Sequence, residues 1–130
     1  MAHRLFATGM SYFWAMIELY GIPSCDVVKK SMNWLAKNNK TYQFRNYKTE
    51  GISEDKLKQW LQQVPLEKLL NKKSTTWREL TPEKQAIAAS ETGAIALMQE
   101  HTSLIKRPVI ERNKKVLAVG YDEQLYAREI

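Results

Sequence analysis

The stretch Met16–Lys30, MIELYGIPSCDVVKK, decides the fold of this 130-residue chain. It opens with the apolar run Met16–Tyr20, which ends at Gly21 and Pro23, and this pattern is typical of a buried strand that runs into a turn. A helical pattern begins at Cys25. The single cysteine of the chain therefore lies where the first strand gives way to the first helix.

The next two segments complete a βαβ unit. Cys25–Asn38 predicts an amphipathic helix capped by Ser24, because its apolar residues fall on one helical stripe: Val28, Met32 and Leu35. Tyr42–Tyr47 alternates aromatic and polar residues and predicts a second strand. Strand, helix and parallel strand in this order form a right-handed crossover.

The middle of the chain predicts a run of helices. Ser53 caps the first, and the short turn Leu66–Leu70 leads into the polar stretch NKKSTTWREL. Thr81–Glu83 combines a cap, a proline and an acid, and it starts a helix that is expected to run to about Glu91. Another helix is expected to follow Gly93.

The chain then returns to strands at Pro108–Glu111 and Val116–Val119, which are joined by the turn Arg112–Lys114. A last helix is expected to begin near Asp122. The order βαβ, helices, ββα predicts an α/β protein with a thioredoxin-like fold and a helical insertion. The active site of such a fold lies between the first strand and the first helix, where Cys25 stands.

Composition agrees with one globular domain, since hydrophobic residues make up 44% and charged residues 26% of the chain. We expect this domain to cover residues 16–130. Residues 1–15 fit neither a helix nor a strand, and we expect them to be a disordered extension or a remnant of cloning or of an early start codon. A single cysteine excludes an internal disulfide and favours the cytoplasm, and no apolar run has the roughly 20 residues that span a membrane.

The net charge of +6 does not predict a nucleic-acid-binding protein, because basic and acidic residues alternate and the basic clusters are only pairs. We therefore expect no direct contact with nucleic acid. A metal site is not expected either, since His3 and His101 lie far from each other and from Cys25 in the sequence.

A cysteine at a helix start is stabilised as a thiolate by unpaired amides and by the positive end of the helix, so the pKa of Cys25 should be lowered. Lys29 and Lys30 add positive potential. The alternative is that Cys25 is only a small buried hydrophobic residue. Because Val28 stands where thioredoxin-type motifs carry a second cysteine, any adduct on Cys25 needs an outside thiol, such as glutathione or a partner protein.

Arg107 and Pro108 precede the third strand. Proline at a strand start needs no special role, but opposite a thioredoxin-like cysteine a cis proline presents backbone groups to the substrate. Arg107 would then direct a planar cation at the thiolate, which suits a carboxylate or an oxyanion. The alternative is a solvated surface arginine.

Three segments, LYGIPSCDVVKKSMNWL, LLNKKSTTWREL and SLIKRPVI, resemble the arsenate reductase (ArsC) family in its Spx/YffB-like branch. The resemblance covers residues 16–130. It implies a catalytic cysteine at Cys25 and glutathione as the reducing co-substrate, with no bound cofactor. Arsenate reductases of this family use three arginines, of which one matches Arg107. The other two positions hold Asn71 and the Gly120–Tyr121 region.

The missing arginines leave the substrate open. Lys72 and Lys73 are candidates to replace one arginine at the substrate-binding site, although lysine lacks the two-pronged guanidinium. Spx-type regulators bind RNA polymerase and carry a paired-cysteine switch, which Val28 removes. The YffB-like subgroup implies glutathione-dependent reduction of thiols or disulfides. The expected partners are glutathione and either glutaredoxin or RNA polymerase.

Overall fold

A computed structural model describes residues 16–130, and the expected extension at residues 1–15 lies outside the described residues. The described part contains four β-strands: β1 (Ile17–Gly21), β2 (Tyr42–Asn46), β3 (Val109–Arg112) and β4 (Lys115–Val119). It also contains eight α-helices: α1 (Asp26–Lys37), α2 (Tyr47–Glu50), α3 (Glu54–Leu61), α4 (Leu66–Leu69), α5 (Thr75–Glu79), α6 (Pro82–Ile87), α7 (Glu91–Glu100) and α8 (Glu123–Glu129). A short 3₁₀ helix, Thr102–Leu104, follows α7.

The four strands form one mixed sheet in the order β2-β1-β3-β4. β1 pairs in parallel with β2 and antiparallel with β3, and β3 pairs antiparallel with β4 through a turn at Asn113 and Lys114. Both turn residues have positive φ, 50° and 67°. This topology confirms the predicted α/β class and thioredoxin-like fold, with helices α3–α7 inserted between the parallel and antiparallel halves.

Each face of the sheet carries its own hydrophobic cluster, because successive side chains of a strand point to opposite faces. One cluster lies under α1 and α8 and contains Ile17, Leu19, Val28, Leu35, Ile110, Ala118 and Tyr126. The other lies under the inserted helices and includes Tyr20, Tyr47, Leu57, Trp60 and Met98. The insertion therefore supplies the second layer of the core.

The helix boundaries correct three expectations. Cys25, not Ser24, is the N-cap residue of α1. The thiol is therefore carried by the capping residue itself and not by the first residue inside the helix. The expected break at Gly93 is wrong, since α6 ends at Ile87 and Ser90 caps α7 by accepting a hydrogen bond from the Gly93 amide. The segment Leu66–Leu70, expected to be a turn, contains the short helix α4, and the polar stretch after it contains α5, which Ser74 caps.

Gly93 stands inside the first turn of α7 because the end of α6 packs against it. A Cβ atom at this position would lie 2.0 Å from the backbone oxygen of Ile87, far closer than any real contact. The glycine is thus required by packing between two helices and does not mark a helix end. None of the helices in residues 16–130 is long and apolar enough to cross a membrane.

Candidate active site

One end of the sheet brings together Cys25 and Arg107, which the sequence singled out, and the residue that follows β2. The C-terminal ends of the parallel strands β1 and β2 meet there, and the antiparallel strand β3 begins there. Cys25 follows β1 after a short turn, Tyr47 directly follows β2, and Arg107 stands two residues before β3. Segments far apart in the sequence therefore converge on one end of the sheet.

Cys25 is held by the turn that connects β1 to α1. Its backbone amide donates to the carbonyl oxygen of Ile22 at 3.3 Å, and its own carbonyl accepts the first helical hydrogen bond from Lys29 at 2.9 Å. The backbone of Cys25 is extended, with φ −86° and ψ 126°, as is usual for a residue that caps a helix. The residue is only partly buried, and its thiol is free of any disulfide.

Arg107 lies across from this cysteine. Its peptide bond to Pro108 is cis, as the sequence predicts. Pro108 is buried, and its carbonyl accepts a hydrogen bond from the amide of Gly120 at 2.7 Å, which ties the loop to the end of β4. The Arg107 side chain is partly buried, and it acts on the Cys25 sulfur as a hydrogen-bond donor and as a positive charge.

The surroundings of Cys25 favour the thiolate. Partial burial is the largest single influence and by itself would raise the pKa of the thiol. The Val28 amide, the hydrogen bond from Arg107, the Val27 amide and the charge of Arg107 act in the opposite direction. Together they lower the pKa of Cys25 below its usual value.

Lys72 and Lys73 lie in an exposed turn that borders the segment leading to Arg107. The backbone N–H of Asn71 donates to the carbonyl oxygen of Leu104 at 2.7 Å, and the backbone N–H of Lys106 donates to the carbonyl oxygen of Leu69 at 2.8 Å. The two segments therefore run side by side. The Lys72 ammonium lies 5.4 Å from the centre of the Trp77 ring. No hydrogen bond joins either ammonium group to Cys25 within residues 16–130, and their place at the cleft opening stays a prediction.

Asn71 and Gly120, at or near the places where the resemblance implies further arginines, form hydrogen bonds that support the local backbone. The Asn71 side chain accepts a hydrogen bond from the Lys73 amide at 3.1 Å. Gly120 has a positive φ of 85°, a conformation that suits glycine, and its carbonyl accepts from the Tyr126 hydroxyl. Neither position can present a guanidinium to an anion.

Sequence reasoning missed a group of buried polar side chains between the sheet and the inserted helices. Glu111 accepts hydrogen bonds from Tyr20 at 3.0 Å, Lys56 at 2.8 Å and Trp60 at 2.9 Å. Tyr47 lies beside Tyr20, with ring centres 6.3 Å apart. The sequence pattern treats Tyr47 as the last residue of a strand, whereas in the structure it begins the short helix α2.

Residues 16–130 contain no group of three or more His, Cys, Asp or Glu side chains that could hold a metal ion.

A thioredoxin-like sheet with a thiolate-favouring cysteine at the first helix and a cis proline opposite it defines a class of thiol-based proteins. Within this class, the family model for the ArsC family matches residues 20–128, and the chain belongs to that family. This membership confirms the resemblance seen in the sequence.

Solved structures and curated relatives agree with this assignment. The YFFB protein shares 36% identity and a TM-score of 0.83 over 88% of this chain and 98% of its own. An arsenate reductase (ArsC) related protein from Brucella melitensis shares 36% identity and a TM-score of 0.69 over 87% of this chain and 92% of its own. The global transcriptional regulator Spx of Listeria innocua is 29% identical over 83% of this chain and 82% of its length.

Proposed function

We propose that this protein is a glutathione-dependent thiol–disulfide oxidoreductase that uses Cys25 as its single nucleophile. The observation that carries the proposal is the contact between Arg107 and the Cys25 sulfur at a helix start, which lowers the pKa of the thiol. A lower pKa raises the thiolate fraction at neutral pH and makes the same sulfur a better leaving group in exchange reactions.

The reaction needs one protein thiol and two glutathione molecules. The Cys25 thiolate attacks one sulfur of the substrate disulfide, so that a mixed disulfide forms and the other substrate sulfur leaves as a thiolate. A glutathione thiolate then attacks the Cys25 sulfur and releases the second substrate thiol. A second glutathione thiolate attacks the glutathione sulfur of the new adduct. Cys25 is regenerated, the substrate disulfide is reduced to two thiols, and glutathione is oxidised to its disulfide.

The helix and the arginine fit both halves of this cycle. Val28 occupies the position one turn into α1 where a resolving cysteine would stand, and its side chain is buried. The part of the chain that the structure describes has no second thiol. The adduct is therefore open to a thiol from outside, which is the role proposed for glutathione or for glutaredoxin. Arg107 offers a cation to the carboxylates that glutathione carries at both ends.

A direct test measures the Cys25 thiolate by its ultraviolet absorbance and the reduction of a small disulfide in the presence of glutathione. We expect a thiol pKa below the free value of about 8.5 and glutathione-dependent turnover that is lost in Cys25→Ser. A thiol pKa at or above that value, together with no turnover, would contradict the proposal.

A second candidate is a regulatory module without catalysis that docks on RNA polymerase or another protein, and the similarity to Spx favours it. A comparison of the unmodified protein with Cys25→Ser distinguishes the enzyme from the regulatory module. If Cys25→Ser retains capture of a partner from lysate and neither protein turns over a disulfide, the module is supported. Reduction of arsenate is a weaker candidate, because at the places where the resemblance implies two further arginines this chain has Asn71 and the Gly120–Tyr121 region.

A further inference from the structure

A cavity of about 410 Å³ lies between α1 and the segment that leads from β4 into α8. Neither Cys25 nor Arg107 lines it, so it is separate from the candidate active site. Its volume falls within the roughly 300–1,000 Å³ that is usual for small-molecule sites. Six side chains form its wall: Lys30, Asn33, Trp34, Lys37, Tyr121 and Glu123.

The aromatic part of this wall is fixed by Tyr126, which is fully buried. Its ring makes edge-to-face contacts with the rings of Trp34 and Tyr121, with centres 5.4 and 5.3 Å apart. Tyr126 is itself held in place, because its hydroxyl is hydrogen-bonded to the Ser31 hydroxyl at 2.9 Å and donates to the carbonyl of Gly120. Trp34 and Tyr121 are only partly buried, so each keeps part of its ring open to the cavity. Such fixed rings suit a flat aromatic ligand.

The charged part of the wall is positive. Lys30 and Lys37 are exposed, and neither forms an ion pair with any group in residues 16–130. Seven residues are almost two helical turns, so the two lysines share one face of α1 and stand about 10 Å apart, with Trp34 between them. Glu123 is the one carboxylate of the wall, which leaves a net charge of +1. The wall therefore matches a ligand with a single negative charge.

We propose that this cavity binds a small aromatic carboxylate, whose ring lies against Trp34 and Tyr121 and whose carboxylate pairs with Lys30 or Lys37. A neutral ring would leave both ammonium groups unpaired, and a small inorganic anion would leave the rings uncovered. A phosphate monoester carries nearly two negative charges at neutral pH and fits a net charge of +1 less well than a carboxylate does. The inference is independent of the proposed oxidoreductase activity.

The test uses two probes of nearly the same shape, indole-3-acetate and indole-3-acetamide, of which only the acetate is charged. Binding to the isotope-labelled full chain is followed by NMR through the indole N–H signals, and the Trp34 signal is identified by its absence in Trp34→Phe. We expect this signal to shift with both probes, with an affinity for the acetate about fivefold higher. The Trp60 signal should stay in place, since its N–H donates to Glu111 on the other face of the sheet.

The double variant Lys30→Gln, Lys37→Gln removes the two cations of the cavity. It should weaken binding of indole-3-acetate about fivefold and leave binding of indole-3-acetamide within about twofold. The matched control is Lys29→Gln, Lys48→Gln, which removes the same charge from two exposed lysines that do not line the cavity. This control should bind both probes as the unmodified protein does. Added salt should reduce the preference for the acetate, because exposed charges are screened.

Three outcomes would overturn the inference. Equal affinities for the two probes would mean that the cavity does not select a negative charge. An equal loss of acetate binding in the two double variants would mean that only the overall charge of the protein matters. A Trp34 signal that moves with neither probe at millimolar concentrations would mean that the cavity binds no such ligand.

Discussion

At the scale of single residues, Arg107 acts on Cys25 in two ways. Its guanidinium acts on the sulfur as a hydrogen-bond donor and as a positive charge, and both effects lower the pKa of the thiol. The same planar group matches a carboxylate, so it can hold an anionic substrate against a thiolate that would otherwise repel it. One residue thereby links the acidity of the nucleophile to recognition of the ligand.

Arg107→Ala should weaken glutathione binding by about 1–3 kcal/mol, the usual loss for a hydrogen bond to a charged group. It should also raise the pKa of Cys25, because the thiolate loses a donor and a charge. The pH at which alkylation reaches half its maximal rate then moves upward. Calorimetric titration with glutathione and the pH dependence of alkylation measure the two effects.

Lys73→Ala is the matched control, since this side chain is exposed and carries the same charge. Its effect should be smaller and should fade with added salt, because exposed charges are screened. Equal losses in both variants would mean that general positive charge, and not the contact between Arg107 and Cys25, controls the site.

At the scale of elements, the strand-turn-helix around Cys25 was predictable because its signals are local. An apolar run, Gly21 and Pro23, and a helical stripe lie within a few residues of one another, and the structure confirms the strand and the helix. The same holds for Ser53 and Thr81, whose side chains cap their helices as expected. Residues close together in the sequence were sufficient to predict these elements.

The remaining features depend on contacts between distant segments. Gly93 resembles a helix end in sequence, but packing against Ile87 explains it. In the sequence Tyr47 continues the strand pattern, whereas in the structure it begins a short helix and lies buried in the cluster under the inserted helices. Its burial depends on helices that are distant in the sequence and could not have been derived from local patterns.

Gly93→Ala tests the contact between α6 and α7. An alanine in a helix normally stabilises by about 0.5–1 kcal/mol relative to glycine. Here the added Cβ would lie 2.0 Å from the Ile87 oxygen, so the helices must shift and we expect a net loss on the order of 1–3 kcal/mol. Urea unfolding measures the difference in free energy.

Ala96→Gly in the same helix is the control for propensity, because Ala96 is exposed. It should destabilise by about 1 kcal/mol, the ordinary difference between the two residues. If Gly93→Ala proves stabilising by a similar amount, the close contact between Ile87 and Gly93 is absent from the protein in solution.

At the scale of the whole molecule, Glu111 joins the sheet to the inserted helices. Its carboxylate is 1% exposed and binds Lys56 and Trp60 of α3 as well as Tyr20 of β1. Burial would raise the pKa of Glu111, but the hydrogen bonds from Lys56 and Trp60 and the charge of Lys56 outweigh it, and the pKa is lowered. The ionised Glu111 carboxylate thus links the sheet to the inserted helices.

This lowered pKa predicts the acid sensitivity of the fold. A carboxyl group whose pKa is lower in the folded than in the unfolded state contributes stability that is complete above the unfolded value of about 4.3. The contribution is lost as the pH falls through the folded pKa. Urea unfolding between pH 7 and pH 3 should therefore show a decline in the free energy of unfolding that Glu111→Gln reduces.

At neutral pH, Glu111→Gln should itself cost about 3–5 kcal/mol, because it leaves the Lys56 ammonium without its buried partner. The matched control is Glu54→Gln, which removes an exposed carboxylate that pairs with Lys58 on the same helix. This second variant should change stability by less than about 1 kcal/mol. Similar losses in the two variants would contradict the role of Glu111.

Because β3 pairs with β1, the surroundings of the Cys25 thiol change as the chain is synthesised. The ribosome makes Cys25 early, whereas Arg107 and Pro108 follow only after all the inserted helices have emerged. Until β3 takes its place beside β1, the sulfur lacks the guanidinium, and only the amides of Val27 and Val28 at the start of α1 lower the pKa of the thiol. We therefore expect a nascent or truncated chain to be a weaker nucleophile at neutral pH than the folded protein.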